Sequence, residues 1–131
     1  MKRANLENAS SMCLMLYTWI EQTESYQFRN PMNILRTLLY LLRSNARAVT
    51  LSRYLGISQP SMHKIVEKLE GLGWIEREGW ADTEDSLEDR RSQRIRLSTE
   101  GLKLMNTVGF VDAESLGSLV KQHSGRDRRC I

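Results

Sequence analysis

Ser58, Gln59, Pro60, Ser61, His63, Lys64 and Lys68 lie in one short stretch whose side chains suit recognition better than bond making. Gln59 carries both a donor and an acceptor, the serines carry small hydroxyls, and the two lysines carry fixed positive charge. Such a set can neutralise phosphates and match the hydrogen-bonding edge of a base pair. A second basic group, Arg90, Arg91 and Arg94, follows Asp89. A guanidinium on a hairpin can enter a narrow A·T-rich minor groove, where negative potential is enhanced. The competing reading pairs these arginines with the neighbouring acids Asp82, Glu84, Asp85, Glu88 and Asp89 in exposed ion pairs of little energetic worth.

Other reactive residue types do not assemble. Cys13 and Cys130 stand at opposite ends of the chain, and His63 and His123 lack the spacing of a metal pair, so no metal or other cofactor is expected. Cys13 reads first as a small core or interface residue. Its alternative is a redox role beside Tyr17, one helical turn away, although no neighbouring cation is evident in the sequence to activate the thiol. Trp74 reads as core rather than as part of a ligand cage, with Trp80 open between the two. Nucleophile elbow, phosphate-cradling glycine loop and metal cluster are all missing, and the protein is not expected to be an enzyme.

The elements that must hold the recognition residues can be read from periodicity and capping signals. Apolar residues at Leu6, Ala9, Cys13, Leu16, Tyr17 and Ile20 recur every three or four positions and predict an amphipathic helix over 5–21. Residues 22–30 are polar and patternless. Asn30 as N-cap and Pro31 in the first turn open a largely apolar, central helix through Leu42. After a break at 44–48, Thr50 is positioned to cap a short helix over 51–55, ending at Gly56 as a left-handed C-cap with Ile57 plugging the turn. Ser58 then caps the next helix, with Pro60 in its first turn. Met62, Ile65, Val66 and Leu69 share one side of it, leaving Pro60, His63, Lys64, Glu67 and Lys68 on the other.

Trp74 to Arg77 and the alternating Arg94-Ile95-Arg96-Leu97 read as two half-buried strands of a hairpin with a long exposed tip over 78–93. Ser98 caps a helix running through Val108, and a last helix spans about 112–123. With 131 residues, 40% hydrophobic, the chain can build one core without disulfides or metals. A net charge of +3 favours polyanionic partners. Its longest apolar run, Leu38 to Leu42, is far below the roughly 20 residues of a membrane span, and no signal peptide is visible, so a cytoplasmic protein without membrane contact is expected.

Helix, turn, helix, hairpin and helix in this order is the winged-helix arrangement. The stretches TLSRYLGISQPSMHKIVEKLEGLGWIER, EDRRSQRIRLSTEG and ILRTLLYLL resemble the MarR family of transcription regulators over about 33–104. The most specific element is Asp89-Arg90-Arg91, followed by the strand Ile95-Arg96-Leu97 and then by Ser98 to Gly101. The resemblance implies a mainly α (α+β) fold: a winged helix-turn-helix domain with a β-hairpin wing, flanked by N- and C-terminal dimerisation helices. It places Gln59, Pro60, Ser61, His63, Lys64 and Lys68 toward a major groove, and Arg91, braced by Asp89, in the adjacent minor groove. This chain departs from the family pattern in a longer, acidic wing and in Gly109 and Gly117, which interrupt the segment after it.

These readings predict a single domain over 1–131. Within it, 31–101 is the DNA-binding core, 1–28 and 98–123 are dimerisation helices and 124–131 is a basic flexible tail. The expected function is a sequence-specific, double-stranded-DNA-binding regulator, a repressor acting as a homodimer on a pseudo-palindromic site. Ser58, Gln59, Pro60, Ser61, His63, Lys64, Lys68, Arg90, Arg91 and Arg94 are its contact residues, and Asp89 supports the wing. The sequence identifies no small-molecule inducer. Two other readings remain at this level: a winged-helix protein-interaction module with an acidic wing, and a replication or plasmid-maintenance DNA-binding protein.

Overall fold

Capping residues set most of the helix boundaries. The computed structural model describes residues 2–78 and 93–129, with side chains described over 10–78 and 93–121. Helix α1 spans Lys2–Thr23 and is followed by a 3-10 turn, Glu24–Tyr26. Helix α2, Pro31–Arg43, begins where Asn30 accepts a hydrogen bond from the Asn33 N–H at 3.2 Å. Helix α3, Ala48–Leu55, ends at Gly56, whose φ of 71° is the left-handed conformation that a residue without Cβ adopts cheaply. Helix α4, Gln59–Gly71, starts at Ser58, and helix α5, Thr99–Val108, starts at Ser98. Helix α6, Ala113–Arg129, starts after Asp112, whose carboxyl accepts from the Ser115 N–H at 2.7 Å and is thereby held below its usual pKa.

Between α4 and α5 lies a two-stranded antiparallel sheet of β1, Ile75–Arg77, and β2, Ile95–Leu97, with Ile75 opposite Leu97 and Arg77 opposite Ile95. The central α2 packs on β2 and α3, α4 packs on α3 and β1, and α1 lies against α5, which in turn holds α6. Trp19, Leu38, Leu51, Met62, Leu69, Ile95 and Met105 fill the middle of the core. Among the described residues no helix is long and apolar enough to cross a membrane.

Three expectations are corrected and two are refined. Helix α3 begins at Ala48 with Arg47 as its cap residue and no side-chain cap bond. Thr50 is inside the helix because Ala48 and Val49 already take helical geometry. The break at 44–48 contains a one-residue bridge, Ala46 to Ile95, made by two backbone hydrogen bonds of 3.1 and 2.7 Å. Strand β2 is buried at all three positions rather than alternating. Its Arg96, 7% exposed, is opposite Glu76 and donates to that carboxylate at 2.8 Å, so the charge is compensated where it is buried.

The segment 22–30 is not patternless in space, since Tyr26 and Phe28 pack their rings against Trp74 with centroids 5.1 and 6.0 Å away. Finally, α6 continues in backbone to Arg129 where a basic flexible tail was expected; no proline interrupts it, and cations suit a helix C-terminus. Trp74 is core, as its position at a strand start suggests.

Candidate nucleic-acid interface

Helix α4 divides cleanly into two sides. Met62, Val66 and Leu69 are buried and Ile65 is half-buried. Gln59, Pro60, Ser61, His63, Lys64, Glu67 and Lys68 are exposed on the remaining surface. The 3.6-residue period places these two sets back to back, and α3 fixes the inward one. The turn before α4 is held by Ile57, whose N–H donates to the Ser52 carbonyl at 3.1 Å.

The start of α4 is more occupied than its sequence implies. Ser58 Oγ accepts from the Ser61 N–H at 3.2 Å and donates to Ser61 Oγ at 2.9 Å. Pro60 has no N–H. Of the four orphan positions at a helix start, Ser58 and Gln59 are therefore the ones whose N–H groups have no partner among the described residues. The short side chains of Ser58 and Ser61 leave the backbone approachable.

Along the exposed side, His63 Nε2 is 3.1 Å from Glu67 Oε1, with side-chain exposures of 54% and 63%. The i, i+4 spacing of these two residues is the sequence signal for such a pair. Neither Lys64 nor Lys68 is held by an ion pair among the described residues. At the end of the helix Glu70 pairs with Arg77 of β1 at 3.3 Å, tying α4 to the root of the hairpin.

That root is closed by the Glu78 N–H, which donates to the Arg94 carbonyl at 2.8 Å, and by Asn45 Nδ2, which donates to Glu78 Oε1. Arg94 is exposed beside it. Asp89, Arg90, Arg91, Trp80 and the acidic tip lie outside the described residues, as does Cys130. Cys13 is exposed on α1, which excludes the core reading of that residue. Among the described residues, no three His, Cys, Asp or Glu side chains gather as a metal-binding set.

A model of the MarR family matches residues 34–92. The fold is similar to that of the transcriptional regulator Tm0710 from Thermotoga maritima, with TM-score 0.56, 14% identity, and coverage of 95% of this chain and 80% of that one. It is also similar to RV1404 from Mycobacterium tuberculosis, with TM-score 0.57, 15% identity, and coverage of 95% and 76%. A third similar structure is a mutant of S. aureus MepR bound to an oligodeoxyribonucleotide, with TM-score 0.54, 21% identity, and coverage of 93% and 83%. No curated protein matches the chain. The arrangement of helices and hairpin is thus the fold that these structures share.

Proposed function

Residues 34–92 match a model of the MarR family, and on that premise we propose that the protein is a member of that family: a sequence-specific, double-stranded-DNA-binding regulator, a homodimer that represses by occupying a pseudo-palindromic site. The observation that carries this reading is the row Gln59, Ser61, His63, Lys64 and Lys68, exposed along a helix whose opposite side is core. A helix so mounted can enter a major groove while its lysines meet phosphates. The DNA-binding unit is 31–101, and the helices of 1–28 and 98–123 supply the dimer contact. Selection of bound sequences from a random duplex pool tests this directly: recovery of a two-fold motif with half-sites about one helical turn apart supports it. Recovery of unselected sequence, or of nothing, rejects it.

The lysines and Gln59 should separate on mutation. Lys64→Ala and Lys68→Ala should weaken binding to all duplexes alike and reduce the salt slope by about one unit for each lost phosphate contact. Gln59→Ala should instead relax preference at one or two base pairs, costing about 1–3 kcal/mol on the selected site. Equal loss on selected and random DNA in the Gln59 variant would remove that residue from base reading.

Arg91 is the proposed minor-groove residue, with Asp89 limiting the freedom that its long side chain loses on insertion. Arg90 and Arg94 then serve the flanking phosphates. Arg91→Ala should weaken binding most on sites with A·T-rich flanks. Deleting 82–88 should leave affinity unchanged or raise it, because those acids repel phosphate. Titrations of both variants on one operator check this. An Arg91→Ala protein that binds like the parent would place the contact elsewhere.

A further inference from the structure

Resting on the reading of α4 as the groove helix, we propose that His63 reads a base pair through its Nδ1 lone pair, and that Glu67 is the positioning residue that makes Nδ1 an acceptor. An ionised carboxylate only accepts hydrogen bonds. With His63 Nε2 at 3.1 Å from Glu67 Oε1, the proton of a neutral imidazole therefore sits on Nε2 and is given to Glu67. Nδ1 is left with a lone pair and no proton. The two residues are one turn apart on the exposed side of α4, so Glu67 also limits the ring to orientations that keep Nε2 turned along the helix.

An acceptor at this position selects the partner edge by its chemistry. Adenine N6 and cytosine N4 present donors in the major groove, whereas guanine N7 and O6 and thymine O4 present acceptors. His63 held in this tautomer gains a hydrogen bond from adenine or cytosine and meets a lone pair on guanine or thymine. The pairing thus rejects as well as attracts, which is how specificity is usually secured. Glu67 itself stays off the phosphates because His63 occupies its carboxylate.

Two measurements on the full chain test this. The first determines the tautomer without DNA, from two-bond proton–nitrogen correlations of the imidazole rings. The chain has two histidines, so a His123→Asn variant assigns the signals. At a pH near 8, where imidazoles are ordinarily neutral, the parent should show the Nε2-protonated form, and Glu67→Ala should shift the population toward Nδ1–H. The second compares base preferences, by sequence selection and competition titration at the same pH, for the parent, Glu67→Ala, Glu67→Gln and His63→Ala.

The parent should prefer adenine or cytosine over guanine or thymine by about tenfold at one pair per half-site. His63→Ala and Glu67→Ala should each reduce that ratio to about threefold or less, whereas preferences at the other pairs persist. Glu67→Gln should fall between, since its amide can either accept from Nε2 or donate to it. Loss of the carboxylate also raises affinity for every duplex, so the ratio and not the affinity is the readout. A parent that selects a sequence while Glu67→Ala keeps the same preference at every pair overturns this inference and leaves the groove reading standing. A parent that selects no sequence overturns both.

Discussion

Gly101→Ala is expected to destabilise the protein by about 3 kcal/mol or more, the upper end of the cost of forcing an extra methyl into a packed core. A Cβ built on Gly101 would lie 2.1 Å from the Trp74 carbonyl oxygen and 3.1 Å from its carbon. Both atoms are backbone, so no side-chain rotation relieves the clash. Neither can Trp74 retreat freely, because its carbonyl accepts from the Ser98 N–H at 3.0 Å and its ring is packed under Tyr26 and Phe28. Ser98 closes the arrangement by accepting from the Gly101 N–H at 3.1 Å while donating to the Gly73 carbonyl. Gly117→Ala is the control, since a Cβ there meets nothing within 4 Å and should be neutral or stabilising by about 0.4–1 kcal/mol. Denaturant unfolding followed by far-UV circular dichroism measures both. A Gly101→Ala protein within about 1 kcal/mol of the parent would mean that α5 can slide off β1 without penalty.

The second large effect concerns assembly. Leu16, Tyr17 and Ile20 are 39%, 61% and 56% exposed on α1, with Cys13 exposed among them and Trp19 turned inward to the core. A contiguous apolar stripe of this kind calls for a cover, and in the proposed homodimer a second copy of the same helix would supply one. The double variant Leu16→Glu, Ile20→Glu is expected to sediment as the 15.2 kDa chain where the parent sediments at twice that mass. Binding to a two-half-site operator should fall by about 100-fold or more, because the second half-site contact no longer occurs at high effective concentration. Its affinity for random duplex should change far less. Sedimentation equilibrium at micromolar concentration decides the matter, and a parent that is monomeric there refutes both the stripe's role and the palindromic site.

What the sequence revealed followed the range of the signal. Asn30, Gly56, Ser58 and Ser98 act on backbone groups within a few residues, so composition and spacing sufficed to locate their caps. The two sides of α4 were visible for the same reason, the helical period being local. Ala46 was invisible because its partner, Ile95, lies far along the chain and a single paired residue has no period. Tyr26 and Phe28 carried no pattern in their own segment, since what organises them is Trp74 at the hairpin root. The alternation around it makes Arg96 look like the polar half of a half-buried strand. Only the register that brings Glu76 opposite explains a buried guanidinium. Thr50 has the side chain of a cap, but α3 starts two residues earlier and is held by packing against α2 and α4 rather than by a capped first turn.

The hydrogen bond between Glu78 and Arg94, together with the Ala46 bridge next to it, has a consequence for how this chain tolerates change in length. The two residues that bound the intervening segment, Glu78 and Arg94, are held by the folded body. The entropic cost of closing a loop grows only logarithmically, about 0.6 kcal/mol for each doubling. A change in chain length between these fixed ends is therefore expected to cost little stability, and residues inserted or removed between Trp80 and Ser86 should be tolerated. Epitopes or fluorophores grafted there should leave the melting temperature nearly unchanged, making this a natural site for labelling the protein away from its packed helices.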